Sequence, residues 1–512
     1  MNGRLAVVLV LVAIAIAALA IYAATTKPQE TTPTTTTSPQ TTTTTMSTRP
    51  VTSTSPTVTP TQTGTATSTP VSECREKITL TVLTRHPGDI LEMAKRAFLA
   101  SEVAKRYCIE EVRFLPLPPG FWITTIKRQA VDVAWGGGPT LFDELYLAGL
   151  LRPLETEIAL KAAGQVPDIF AGVPLKRVDE EGKIYWVSAA IASFGFTVNT
   201  DVARQLGFDW TKLRSWRDLA SDELGLILTK YGVPPLSVAN PLQSTSNTRM
   251  YEIILQAYGW EEGWRVLTLM AANARIEEGS GDVRDAVING DVMVGITIDF
   301  YGYTAENVNP ACRYVLPEGE TIVNGDPIAV TKSTKHPEAA EAFVAWVLTE
   351  GQKIWLDPSI NRLPSNPHVF ETEEGSKRPD LKRAFEAAQK AKTIAFNDTL
   401  ALLVEYPMQL YWVATLKDNH DLLQRAWREL LKAYYIDGRI DENTFQELKM
   451  KLTELVTYKD PVEGKEVKFT LEDALRVSRL LRENLELKEA YMNAWREAAK
   501  LKYEEVLRAL GS

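Results

Sequence analysis

Apolar and polar residues alternate from Ile78 onward, and this alternation predicts a β-strand over residues 78–83. Apolar residues then recur at helical spacing over 89–107, and strand-like segments follow at 111–115 and 131–135. A strand, a helix and a strand at these spacings predict βαβ units and a parallel sheet that is covered on both faces. The pattern alone therefore predicts the α/β fold class.

The same two periods continue along the chain. Helices are predicted over 248–258 and 337–348, strands over 292–298 and 326–331, and an almost purely helical region from residue 379. The last helix carries apolar residues at three- and four-residue steps: Met492, Trp495, Ala499, Tyr503, Val506 and Leu510. This stripe is typical of the buried face of a helix, and a docking surface for a partner is the alternative.

An uncharged apolar run over residues 5–24 follows Arg4. At about 1.5 Å per residue it is long enough to cross a bilayer. No cysteine stands near its end to accept a lipid, because the first cysteine is Cys74. We predict an uncleaved signal anchor at residues 1–24 that holds the protein at the extracellular face of the cell membrane; a cleaved signal peptide is the alternative.

Residues 25–72 contain 36 Thr, Ser or Pro among 48 positions. Such a segment has almost nothing to bury and cannot offset the entropy of ordering its chain. Its composition predicts an extended, O-glycosylated stalk. A stalk of this kind suits a folded part that must reach away from a membrane and stay near it.

Charge and motifs narrow the class of function. The net charge is −9 and the basic residues are spread along the chain, so we expect no nucleic-acid partner. The chain has no P-loop and no H-E-x-x-H, G-x-S-x-G or C-x-x-C motif. We therefore expect no enzymatic activity and no cofactor. A secreted hydrolase with a triad assembled from distant residues is an alternative.

The three cysteines are too few for a disulfide framework. Cys74 precedes the first predicted strand and Cys108 precedes the second, after one crossover helix. Both strands of a right-handed βαβ unit begin at the same edge of the sheet, so these two cysteines should lie close together. We predict a Cys74–Cys108 disulfide, which would persist outside the cell.

Polar, glycine-containing segments follow two predicted strands of the first half. Arg85 and His86 come after the first strand, and Gly137, Gly138 and Thr140 come after strand 131–135. Ligands of open α/β sheets bind at such strand ends. Glycines allow close backbone approach, and free N–H groups at a helix start attract an anion. A tight turn is the alternative for the glycines.

Two further segments lie in the middle of the chain. Ser244, Thr245 and Ser246 open a predicted helix, where they either bind a ligand or supply a simple N-cap. Asp299, Tyr301 and Tyr303 share parity at the end of a predicted strand, so an extended chain would direct all three to one side. Two phenols and a carboxylate suit ferric iron or an organic solute, and half-buried aromatics are the alternative.

An ordered series of segments resembles the family-1 extracellular solute-binding proteins of the ferric-iron, thiamine and phosphonate type. The series consists of VDVAWGGGPT at 131–140, SFGFTVNT at 193–200, GDVMVGITID at 290–299, VNGDPIAV at 323–330, PEAAEAF at 337–343 and Gly351-Gln352. The resemblance runs from about residue 78 to about residue 431. Iron binders of this family carry adjacent tyrosines, whereas Gly302 separates Tyr301 from Tyr303 here.

The resemblance implies a type-II periplasmic-binding-protein fold with two α/β lobes joined by two crossovers, to which this chain adds an all-helical C-terminal extension. It places lobe I at 73–193 and 305–435, lobe II at 194–304 and the extension at 436–512. The implied function is the extracellular substrate-binding subunit of an ABC-type importer, whose permease subunits are its partners. The solute is ferric iron, a phosphonate or phosphorylated compound, or an organic cation. An adhesion protein is a further alternative, because it would explain the stalk equally well.

Overall fold

The structure, a computed structural model, describes residues 76–117 and 119–511. The predicted anchor, the predicted stalk and Cys74 lie outside these residues. Within them, no helix is long and apolar enough to cross a membrane. Cys108 is disulfide-bonded, and Cys312 is a buried free thiol. The pairing of Cys108 with Cys74 stays a prediction.

The strands follow the predicted order. They are β1 Ile78–Thr84, β2 Ile109–Pro116, β3 Val133–Trp135, β4 Ile169–Phe170, β5 Val173–Pro174, β6 Lys176–Val178, β7 Ile184–Asn199, β8 Leu236–Ala239, β9 Ala274–Glu277, β10 Val294–Ile298, β11 Cys312–Val315, β12 Val323–Val330, β13 Leu363–Pro364, β14 Thr457–Lys459 and β15 Glu466–Lys468.

The α-helices are more numerous than the strands. They are α1 Gly88–Ala100, α2 Glu102–Arg106, α3 Trp122–Arg128, α4 Pro139–Leu147, α5 Glu157–Ala163, α6 Thr200–Gln205, α7 Asp222–Tyr231, α8 Thr245–Tyr258, α9 Trp260–Asn273, α10 Ser280–Asn289, α11 Asp299–Val308, α12 Pro337–Leu348, α13 Glu373–Ser376, α14 Pro379–Gln389, α15 Asp398–Trp412, α16 His420–Leu431, α17 Glu442–Thr453, α18 Leu471–Glu483 and α19 Leu487–Ala509. Short 3₁₀ and π turns complete the set.

Strand β7 runs through both halves of an 11-stranded sheet whose main path is β2-β1-β3-β12-β7-β10-β8-β9. Its first half pairs with β12, from Val187 opposite Ile328 to Ser193 opposite Val323. Its second half pairs with β10, from Phe194 opposite Ile298 onward. Strand β1 pairs in parallel with both β2 and β3, which confirms the predicted parallel βαβ arrangement.

Two large hydrophobic cores lie on either side of the middle of β7. The first contains residues 187–191 and 323–330 of the central strands, packed with helices such as α12. The second contains residues 194–198 and 293–296, packed with α8 and α9. The chain passes from the first core to the second within β7 and returns between Ile322 and Val323. We call the parts of the chain that share the first and second cores lobe I and lobe II.

The C-terminal helices pack on lobe II. Buried side chains of α15, α16, α18 and α19 belong to the second core, although 305–435 was predicted as part of lobe I. The predicted helical extension is present and also contains the β14–β15 hairpin. Its apolar stripe from Met492 to Leu510 is at most 6% exposed, which confirms the buried-face interpretation.

The extension is thus a structural part of lobe II, and Trp495 tests this. The indole of Trp495 is fully buried and lies 5.1 Å from the ring of Phe469 and 5.6 Å from that of Tyr411. We expect Trp495→Ala to lower the free energy of unfolding by about 3–5 kcal/mol in chemical denaturation. Lys500→Ala, at an exposed position on the same helix, should change it by less than about 0.5 kcal/mol. Similar values for the two variants would contradict a shared core.

Candidate ligand site between the lobes

His86 follows β1 and is buried rather than open to a ligand. Its Nδ1 accepts a hydrogen bond from Arg362 Nη1 at 3.2 Å, and its ring lies 4.5 Å from that of Trp135. Burial lowers the pKa of His86 to about 4, because the charged ring would lose its solvation. The imidazole is therefore neutral at neutral pH, as its acceptor role requires. His86 makes no hydrogen bond to a serine among the described residues, so a hydrolytic triad has no support there.

The side chain of Asp326 on β12 binds the loop that contains Gly137 and Gly138, which we call the glycine loop and which was predicted to bind an anion. Its Oδ1 accepts hydrogen bonds from the N–H groups of Gly137 at 2.7 Å and Gly138 at 3.4 Å. Its Oδ2 accepts one from Arg362 Nη2 at 2.9 Å. The chain's own carboxylate thus satisfies these two N–H groups. Gly137 has a φ of +119°, a conformation that side chains rarely adopt, so a bulky replacement there would strain the backbone as well.

Three hydroxyls meet at the start of two helices of lobe II. Ser244 caps α8 by accepting a hydrogen bond from Asn247 N, which confirms the N-cap interpretation. Its Oγ also lies 2.5 Å from Ser280 Oγ at the start of α10, and Ser246 Oγ lies 2.8 Å from the same atom. Thr245 is exposed. The structure therefore brings Ser244 and Ser246 together and adds Ser280, which the sequence did not single out.

Asp299, Tyr301 and Tyr303 do not point to one side, because α11 begins at Asp299 and the extended chain assumed for them is wrong. Asp299 is buried, and its Oδ2 accepts hydrogen bonds from Ser193 N at 2.7 Å and Ser193 Oγ at 3.1 Å. Burial raises the pKa of Asp299 to about 6.

The two tyrosines lie in different surroundings. The ring of Tyr301 lies under the guanidinium of Arg284 at 4.9 Å. The ring of Tyr303 packs against that of Tyr314 at 5.3 Å. Tyr303 and Tyr314 line, with Ser193, a cavity of about 360 Å³. The two phenols thus have different neighbours, and the described residues contain no cluster of His, Cys, Asp or Glu that fits a metal ion.

Thr140 and Asp398 link the lobes directly. Thr140, at the start of α4 in lobe I, donates its hydroxyl hydrogen to Asp398 Oδ1. Asp398 opens α15 on lobe II and also accepts a hydrogen bond from Arg249 Nη1 at 3.2 Å. Arg249 lies on α8 three residues after Ser246, so the two share one helix face. A Cβ placed on Gly138 would lie 3.9 Å from Arg249 Nη2, so Arg249 approaches the glycine loop.

A group of charged side chains surrounds this contact. Arg249 Nη1 lies 3.2 Å from Glu252 Oε2, and Glu252 is 2% exposed. Glu405, two turns after Asp398 on α15, interacts electrostatically with Arg249 and with Arg85 of lobe I. Burial raises the pKa of Glu405 and lowers that of Arg85. The group thus contains two arginines and three carboxyl groups, contributed by both lobes.

A separate groove lies elsewhere. A groove of about 620 Å³ on lobe II is lined by residues such as Leu213, Val266, Leu269 and Met450, and it contains none of the predicted site residues. The interlobe group of Arg85, Arg249, Glu252, Asp398 and Glu405 is the better candidate site because side chains of both lobes meet there, beside the strand-end loops of lobe I.

Comparison with known proteins tests the predicted resemblance. The model of the bacterial extracellular solute-binding proteins matches residues 124–354. The predicted resemblance is confirmed over this part of the chain.

Individual relatives are distant. The phosphoglycerate transport regulatory protein PgtC of Salmonella typhimurium is 28% identical over 189 residues, which are 35% of this chain and 43% of PgtC. This chain therefore spans less than half the length of the curated relative. AfuA from Actinobacillus pleuropneumoniae, solved with exogenous fructose-6-phosphate bound, shares 17% identity over 66% of this chain and 98% of AfuA at a TM-score of 0.50. Iron-bound HitA from Pseudomonas aeruginosa shares 20% identity over 60% and 99%, at 0.45. The AfuA match supports the periplasmic-binding-protein fold.

Burial of Glu252 has a consequence for stability. It raises the pKa of Glu252 to about 8, whereas the unfolded chain releases this proton near 4.5. The folded state binds one more proton between these values, so stability falls as pH rises through this window, by at most about 1.4 kcal/mol per pH unit. In denaturation curves measured from acidic to mildly alkaline pH, we expect the free energy of unfolding of Glu252→Gln to fall less over this window than that of the wild type. Glu386→Gln, at an exposed position, is the control. Parallel profiles of the wild type and Glu252→Gln would contradict a protonated Glu252.

Proposed function

We propose that the protein is the extracellular substrate-binding subunit of an ABC importer that captures a small phosphorylated solute between its lobes. The observation that carries this proposal is the approach of Arg85 from lobe I and Arg249 from lobe II to one interlobe site. Guanidinium groups bind phosphate through paired charge-assisted hydrogen bonds. On α8, Arg249 follows the hydroxyl group of Ser246 on the same face.

The serine hydroxyls strengthen the anion preference. Ser244, Ser246 and Ser280 stand at the starts of α8 and α10, where helix dipoles and free N–H groups favour negative charge. The glycine loop contributes less than expected, because Asp326 already accepts hydrogen bonds from Gly137 and Gly138. The anion is therefore held mainly by side chains.

The alternatives named by the sequence have less support. Tyr301 and Tyr303 diverge on α11, which disfavours ferric iron. Arg85 and Arg249 disfavour an organic cation that carries no anionic group. The names of the relatives agree with a phosphorylated solute, since PgtC is described as a phosphoglycerate transport regulatory protein and AfuA was solved with fructose-6-phosphate.

Closure of the lobes is the mechanism of capture. A solute that contacts Arg85 and Arg249 together binds the closed form better than the open form, so it shifts the population towards closure. The permease subunits then recognise the closed form. In this proposal the apolar run at residues 5–24 anchors the protein in the membrane, and the Thr/Ser/Pro-rich stalk lets the lobes reach into the extracellular space.

Titration calorimetry of the full-length chain tests the solute class. We expect binding of 3-phosphoglycerate or fructose 6-phosphate, and no binding of ferric citrate or spermidine. Arg249→Gln should weaken phosphate-ester binding about tenfold or more, because it removes a charge-assisted contact. Arg96→Gln, exposed on α1, should leave affinity unchanged. Binding of iron or spermidine without any phosphorylated solute would contradict the proposal.

A further inference from the structure

Helix α15 is fixed to lobe II at both ends. Asn397, just before it, exchanges two hydrogen bonds with Gln256 of α8, at 2.7 and 3.0 Å. Near its other end, Gln409 Nε2 donates to Thr248 Oγ1 at 3.1 Å and to Pro241 O at 3.3 Å. Asp398 and Glu405 lie seven residues apart on this helix and therefore on one face. That face is turned towards Arg249 and the glycine loop of lobe I.

Asp398 accepts hydrogen bonds from neighbouring side chains, whereas two nearby carboxyl groups have fewer hydrogen-bond partners. Asp398 accepts hydrogen bonds from Thr140 and Arg249. Glu405 accepts no hydrogen bond from the described residues, although it is half-buried and interacts electrostatically with Arg249 and Arg85. Glu252 is 2% exposed, and its Oε1 has no hydrogen-bond partner. The charges that act on Glu252 are those of Arg249, Glu405 and Asp398, so its free oxygen belongs to the same interlobe group.

Buried carboxyl oxygens without partners are costly, and proteins rarely keep them unless something else satisfies them. The arginines compensate the charge here but do not donate to these oxygens. A bound solute that fills the space between Arg85 and Arg249 would reach Glu405 first. An N–H or O–H group of such a solute can donate to this carboxylate and replace water there.

We propose that Glu405, supported by Glu252, selects solutes that carry a hydrogen-bond-donating hydroxyl or ammonium group beside their anionic group. The anionic group contacts Arg85 and Arg249, and the donor contacts the carboxyl face of α15. Glu405 thus gives the C-terminal helices a role in solute selection. This inference rests on the proposed capture of a phosphorylated solute and narrows its chemical class.

Three phosphate monoesters separate the possibilities in calorimetry with the full-length chain. sn-Glycerol 3-phosphate offers hydroxyls, O-phosphoethanolamine offers an ammonium group, and ethyl phosphate offers neither. We expect one or both of the first two to bind at least about tenfold more tightly than ethyl phosphate, because each adds a hydrogen bond to a charged acceptor. The tighter of the two identifies the donor.

Glu405→Gln should reduce this preference to less than about threefold and leave the affinity for ethyl phosphate nearly unchanged. Glu386→Gln, which lies on the exposed surface of lobe I, should keep the full preference. Equal affinity of the wild type for all three esters would overturn the role of Glu405 and leave the proposed phosphate capture intact, and this comparison needs no variant. If none of the three esters bound, the proposed function itself would be contradicted. A preference that survives Glu405→Gln, in a variant with the wild-type unfolding temperature, would also overturn the inference.

Discussion

Strand β7 imposes the constraint on which the rest of the structure depends. Its sixteen residues pair with β12 of lobe I in the first half and with β10 of lobe II in the second. The two cores therefore meet along one continuous strand, and the chain crosses between them again from Ile322 to Val323. Ser193 lies where the pairing changes and donates two hydrogen bonds to Asp299 at the start of α11. The link between the lobes is thus held by backbone pairing and a buried carboxylate.

The charges beside this link are divided between a structural and a binding role. Arg362, Asp326 and the neutral His86 form a buried network under the glycine loop, in which every charge has a partner of opposite sign or a neutral acceptor. The guanidinium of Arg362 also lies 5.3 Å from the ring of Phe300, across the lobe boundary. Arg85 and Arg249, by contrast, face carboxyl groups that are not all satisfied. The second set is therefore the one with capacity to bind.

The sequence predicts the fold well because the fold depends on local periodicity. The alternation at residues 78–83, the glycines after β3 and the apolar stripe of α19 each have a local physical interpretation that the structure bears out. The family resemblance adds the order of the segments. These features depend on residues that are close together in the sequence, so the sequence alone is enough to predict them.

The site is less predictable because its contacts are distant in sequence. Asp326 lies 189 residues from Gly137, and Asp398 lies 258 from Thr140, so no local pattern reveals either contact. Glu405 sits in a region whose pattern is simply helical. One error had a visible signal: an acidic residue at the first position of a helix is favoured, and Asp299 therefore marked the start of α11 rather than the end of a strand.

A crystal structure of the chain grown with sn-glycerol 3-phosphate tests the central claim most directly. The account predicts the phosphate within hydrogen-bond distance of Arg85 and Arg249, with a hydroxyl group of the ligand towards Glu405. A ligand seated instead in the cavity beside Tyr303 and Tyr314, or on one lobe alone, would contradict capture between the lobes.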